Sequence, residues 1–184
     1  MLAQYPEADF GMVPQVLDLP PIHFIVFLDK IFGSSKYIGP DKDHAELILR
    51  RHSTFGNKFL EDLRTQQVQW EYKSKVFSST LVFESPLYNL TVTLKNGSLF
   101  SGKVFTFVYN CRTYHWKSAA IFKHNYSCVT ADSGKQVAAI SKKAFSKTRA
   151  SVDLFPDSHW TPGFKEFLVI SAIIMVQELE DREH

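Results

Sequence analysis

The sequence predicts a mainly β protein: a closed antiparallel barrel of about 10–12 strands around a central hydrophobic C-terminal α-helix. Three observations predict it. From His23 to Phe155 the apolar pattern has mostly period two, broken by turn residues at short intervals. Near the carboxyl end the period changes, and the run Phe167–Val176 is apolar on all sides. A helix with no polar stripe must be buried all round, which a flat sheet does not achieve and a closed one does. Ten helical residues make a rod about 15 Å long and about 10–12 Å wide with side chains. An eight-stranded barrel is already filled by its own side chains, so more strands are needed to enclose it.

The elements follow in order. Four of the eight prolines (Pro6, Pro14, Pro20 and Pro21) lie in the first 21 residues, so residues 1–22 read as a flexible, proline-rich tail. A single domain spans 23–180, with 181–184 as an acidic tail. Leu47, Leu49 and Arg51 alternate with Glu46, Ile48 and Arg50. Val68-Gln69-Trp70-Glu71-Tyr72-Lys73 and Leu90-Thr91-Val92-Thr93-Leu94 are strands, the second ending in Asn96-Gly97, a hairpin-turn dipeptide. A long strand or bent strand pair covers Leu99 to Tyr109. Tyr114–Lys117, Tyr126–Ala131, Gln136–Ile140 and Ser151–Phe155 complete the series, rich in β-branched and aromatic residues. Thr161 is read as an N-cap with Pro162 as first helical residue, and the helix covers about 163–179. Its β-branched residues would also permit a buried strand; the Thr-Pro start and the Gln177–Glu180 continuation favour the helix. One feature disagrees, since the acidic C-terminal turn opposes the macrodipole.

Composition excludes several classes. With 45% apolar and 22% charged residues, the chain is neither disordered nor low-complexity. Two cysteines, Cys111 and Cys128, make no disulfide scaffold or four-ligand zinc site. The amino-terminal residues lack the order of a signal peptide, and no apolar run approaches the roughly 20 residues of a membrane span. The expected location is therefore cytoplasmic, at most peripheral at a membrane, and the sequons at Asn89, Asn96 and Asn125 are chance matches. None of the seven histidines has metal-ligand spacing, and neither a nucleophile elbow nor a phosphate loop occurs. The reading is of a non-enzyme without metal or cofactor, with Cys128 a small buried hydrophobe. Trp70, Trp116 and Trp160 are core or rim anchors, Trp160 plugging the barrel end where the helix enters.

The net charge of +2 conceals an asymmetry. Residues 1–22 and 178–184 each carry −3, leaving +8 on the body. Residues 85–152 hold ten Lys or Arg and a single acid, Asp132. Such a stretch either attracts polyanions or anionic lipid surfaces or is a solvated face. The densest cluster is Lys142, Lys143, Lys147 and Arg149, with Phe145 at the loop tip and Lys135 just upstream. Lysines in a loop follow a phosphorylated headgroup and an arginine binds it bidentately. Lys73 and Lys75, two apart, share one strand face as a phosphate-binding ladder needs; Arg50 and Arg51 point to opposite faces and cannot share a patch. The candidate anion-binding set is thus Lys73, Lys75, Lys135, Lys142, Lys143, Lys147 and Arg149. A protein partner for the proline-rich tail is the alternative. Nucleic acid ranks low, for want of interleaved aromatics and a groove-reading motif.

The order of motifs in the second half resembles the tubby C-terminal-like superfamily, which includes the tubby domain, phospholipid scramblases and plant LURP-one-related proteins, and is nearest to its fungal members of open activity. The residues are Tyr114-His115-Trp116-Lys117, Tyr126-Ser127-Cys128-Val129, Ser133-Gly134-Lys135-Gln136-Val137-Ala138, Ser151-Val152-Asp153-Leu154 and the apolar helix Phe164–Leu179. They span about residues 100–180; over 23–99 the likeness is topological. The resemblance implies a barrel around a hydrophobic helix and lipid-related work at membranes, tubby domains binding phosphoinositide headgroups through basic surface side chains. The calcium motif, cysteine cluster and spanning tail of scramblases are absent.

Overall fold

A computed structural model describes residues 15–28, 35–52, 56–73, 79–97, 103–118, 125–142 and 149–183. Twelve strands follow one another in chain order: β1 Ile22–Leu28, β2 Lys36–Gly39, β3 Leu47–Arg51, β4 Lys58–Asp62, β5 Val68–Lys73, β6 Thr80–Ser85, β7 Leu90–Asn96, β8 Lys103–Tyr109, β9 Arg112–Ser118, β10 Asn125–Thr130, β11 Gln136–Lys142 and β12 Arg149–Leu154, before the helix α1 Phe164–Glu183. Each strand pairs antiparallel with its sequence neighbours, and β1 pairs with β12 from Ile22↔Leu154 to Phe27↔Arg149, which closes the barrel. Closure leaves no unpaired sheet edge to template aggregation.

Period two decides which side chains fill the barrel. Phe24 and Val26, Leu47 and Leu49, Trp70 and Tyr72, Leu81 and Phe83, Val92 and Leu94, Phe105 and Phe107, Tyr114 and Trp116, and Val152 and Leu154 alternate inward and are buried. They surround the helix, on which Phe167 to Val176 are at most 5% exposed on every face. Ser171, the one hydroxyl in that run, donates to the Leu168 carbonyl at 3.2 Å, so nothing polar is stranded there. No helix among the described residues is long and apolar enough to cross a membrane.

Three local expectations need correction. Asn96-Gly97 is not a two-residue hairpin, because β7 ends at Asn96 and β8 begins only at Lys103. The tight turn lies instead at Asn110-Cys111, both left-handed (φ 47° and 61°), between the paired Tyr109 and Arg112. Its second position is one that glycine fills without strain, so a cysteine there gives no turn signal. At the helix start, Gly163 rather than Thr161 accepts the first intrahelical bond, from Phe167 N at 3.0 Å, and α1 begins at Phe164. Gly163 has φ +88°, and a Cβ on it would stand 2.5 Å from the Tyr88 ring, so the tight entry into the barrel requires glycine. Finally, the last described part of the tail is held. Leu17 N donates to Ser158 Oγ (3.1 Å), Ser158 N to Leu17 O (2.9 Å) and Leu19 N to Pro156 O (2.9 Å), strapping it along 156–158.

Candidate functional site

An up-and-down meander places every second connection at the same end of the barrel. Odd-numbered strands end, and even-numbered strands begin, at the rim around the helix C-terminus. At that rim the odd strands finish on Arg50-Arg51, Lys73, Lys95, Lys117 and Lys142, and the even strands start on Lys36, Lys58, Lys103 and Arg149. No Asp or Glu occupies the last or first two positions of any strand there. The opposite rim carries Glu61, Asp62, Glu84 and Asp153 against Arg112 alone at the same positions. Strand-end cations are thus gathered at one rim, although Glu61 and Glu84 reach back to pair with Arg50 and Lys73.

Alternation sorts the basic rim into two layers. Lys36, Lys58 and Lys142 share the inward parity of Ile38, Leu60 and Ile140 and point at the end of the helix. Lys58 Nζ donates to Gln177 Oε1 at 3.0 Å and lies 5.7 Å from the centre of the Tyr72 ring. The Tyr72 hydroxyl donates to Glu178 Oε1 at 2.9 Å, and Lys142 pairs with Glu180. These contacts answer the objection raised by the acidic helix end. Carboxylates beside the negative pole of a helix are unfavourable, but here they face a collar of ammonium groups from three strands. The outer layer is different. Lys73 pairs with Glu84 at 2.6 Å and Arg50 with Glu61 at 3.2 Å. Lys95 and Lys117 are exposed, and no ion pair with a described carboxylate is formed by either.

Lys36 is the least comfortable member. Burial, followed by repulsion from Lys58 and Lys142, lowers its pKa to about 8, against opposing attraction from Glu180 and Asp181. The folded state therefore gives up this proton near pH 8, while the unfolded chain holds it to about 10.5. Between those values the unfolded chain binds more protons, so stability rises with pH across that window. Below it, holding the charge in place costs stability. We expect Lys36→Met to raise stability at pH 7 by about 1–3 kcal/mol, the gain shrinking to nothing above about pH 10.5. Urea titrations at pH 7 and pH 10.5 check both signs; a loss at pH 7 contradicts this account of the collar.

The candidate anion-binding residues divide accordingly. Lys73 and Lys142 lie on the basic rim, each already holding a carboxylate. Arg149 begins β12 at the same rim. Lys135 does not join them. It sits at the start of β11's other end, about 23 Å away for seven residues at about 3.3 Å each. There it binds Asp18 of the tail at 2.5 Å and the buried Asp157 at 3.3 Å. Lys75, Lys143, Lys147 and Phe145 lie outside the described residues. Sequence reasoning missed Lys36, Arg51, Lys58, Lys95 and Lys117; pooling the residues that flank alternate connections would have found them. Cys128 is fully buried, which pushes its thiol pKa well up, and Cys111 is exposed in the β8–β9 turn. No family model and no curated protein matches the chain.

Proposed function

We propose that the protein is a non-enzymatic module that docks on anionic phospholipid headgroups at a membrane surface, presenting the rim around the helix C-terminus. One observation carries the reading: the gathering of strand-end cations at that rim, with no carboxylate in the terminal two positions of any strand there. A molecule so charged meets a negative surface end-on, each Lys or Arg near the surface contributing about 1 kcal/mol. The exposed Lys95 and Lys117 are the residues available for it, with Lys143, Lys147 and Arg149 from the sequence of the β11–β12 segment; Lys73 and Lys142 join only by exchanging Glu84 and Glu180 for headgroup oxygens. The resemblance to tubby-like proteins supports the same direction, phosphoinositides being the headgroups it suggests.

Co-sedimentation with phosphatidylcholine vesicles, with and without anionic lipid, tests this. Binding is expected only to anionic vesicles, and to fall steeply between low salt and about 0.5 M, where screening is short-ranged. Lys95→Glu, Lys117→Glu, Lys143→Glu and Lys147→Glu together should abolish it with melting unchanged. Equal binding to neutral and anionic vesicles, or none to either, overturns the proposal. A protein-interaction role has its own observation, the exposed Val16, Leu17 and Leu19 of the strap; capture of a partner that depends on residues 1–22 would favour it.

A further inference from the structure

The opposite end of the barrel holds a cavity of about 360 Å³ beside the helix start, within the range of small-molecule sites. Among its walls are the rings of Tyr109, Tyr114, Trp160 and Phe164. Phe164 is the hub, its ring centre 4.5 Å from Tyr109, 5.1 Å from Tyr114 and 5.0 Å from Trp160. Tyr109, Tyr114 and Phe164 are held by burial in the core cluster, so these walls are rigid. Asp157, 3% exposed, also lines the cavity.

The charge count around the cavity has a sign. Arg112 and Asp132 form a pair at 3.3 Å and cancel. Lys135 is shared by two carboxylates, Asp18 and Asp157, so that group keeps one negative charge in excess. Glu166 in the first helical turn is paired with Lys165 at 3.6 Å and adds nothing to that count. Aromatic walls attract a cation through the negative faces of their rings, and most strongly one that surrenders little hydration. A compact ammonium such as lysine's is strongly hydrated; one wrapped in methyl groups is not, and also fills apolar space.

We propose that this cavity binds an organic monocation bearing a methylated or quaternary ammonium group, held by the Tyr109–Tyr114–Trp160–Phe164 walls and the excess negative charge at Asp157. The site is independent of the basic rim and of lipid docking there.

The test is choline titrated into the full chain at constant ionic strength, following the Trp160 indole resonance, assigned with Trp160→Phe. The comparison ligand is 3,3-dimethylbutan-1-ol, which has the same shape without the charge. A saturable shift with Kd on the order of 1 mM is expected for choline, and binding at least tenfold weaker for the alcohol. Asp157→Asn keeps an oxygen to accept from His159 N, which Asp157 Oδ1 does at 2.9 Å, and should weaken choline at least tenfold. If that variant does not fold, the choline-to-alcohol ratio on the unaltered protein decides. Phosphocholine forms a third arm: tighter binding than choline assigns the site to a headgroup, weaker binding to the free cation, and both support it. Equal affinity for choline and the alcohol, or no saturable shift with choline, overturns the proposal.

Discussion

Ile173→Lys is expected to abolish cooperative unfolding altogether. Ile173 lies in the helix run that the barrel encloses, 3% exposed, and its neighbours in that run are apolar apart from Ser171. An ammonium there has no counter-ion, and the effective penalty for an unpaired buried ion is several kcal/mol. Losing the isoleucine contacts adds about 2 kcal/mol. The sum is comparable with the whole stability of an ordinary domain, about 5–15 kcal/mol. Ending the chain at Gly163 is harsher, because it removes the object on which all twelve strands close. Both proteins should be insoluble or molten, with exposed apolar surface, dye binding and no near-ultraviolet dichroism. Ile173→Val, costing about 0.5–1.5 kcal/mol, is the control that keeps the backbone and the burial. A soluble truncated chain with a sharp melt would mean that the barrel does not need its filling.

How much of this was legible in the sequence depends on how local each cause is. Strands such as β5 and β7 were legible because alternation is a property of adjacent residues, and the enclosed helix because a ten-residue run whose only polar side chain is Ser171 admits no wet face. The strand count followed from turn spacing. Turn identities were less accessible: Asn96-Gly97 has hairpin chemistry but sits at a strand end, while Asn110-Cys111 makes the hairpin without a glycine. The sequence predicts a helix end near residue 179, whereas the helix continues to Glu183, since an acidic run looks like a tail when its cations are far away in sequence. Lys58 and Lys142 are 119 and 38 residues from the side chains they bind. Lys135 falls at the other end of the barrel from Lys142 for a related reason. Grouping residues 135–149 by proximity in the chain joins two ends of one strand. A meander alternates ends, so the grouping that matters is by every second connection, and it yields a basic rim at one end and an acidic, aromatic one at the other.

Phe167→Ala is expected to be the most costly substitution that still leaves a folded protein, at about 3–5 kcal/mol. Phe167 is fully buried, and its ring lies 5.0 Å from Trp70, 5.6 Å from Phe83, 5.1 Å from Phe107 and 5.4 Å from Tyr109. Those four rings belong to β5, β6 and β8, so one helical side chain ties the helix to three strands. The site cannot collapse to fill the void, because Trp70 is itself fixed: its indole N–H donates to the Gly163 carbonyl at 3.0 Å. A cavity that cannot close keeps the full penalty. For a chain of this length each kcal/mol moves Tm by about 2–4 °C, so the melt should fall by about 6–20 °C and stay cooperative. Phe167→Leu, which refills most of the volume, should recover more than half of the loss. A drop below about 1 kcal/mol for alanine would show that the strands close without this contact, and that the helix is a filler rather than the nucleus of the core.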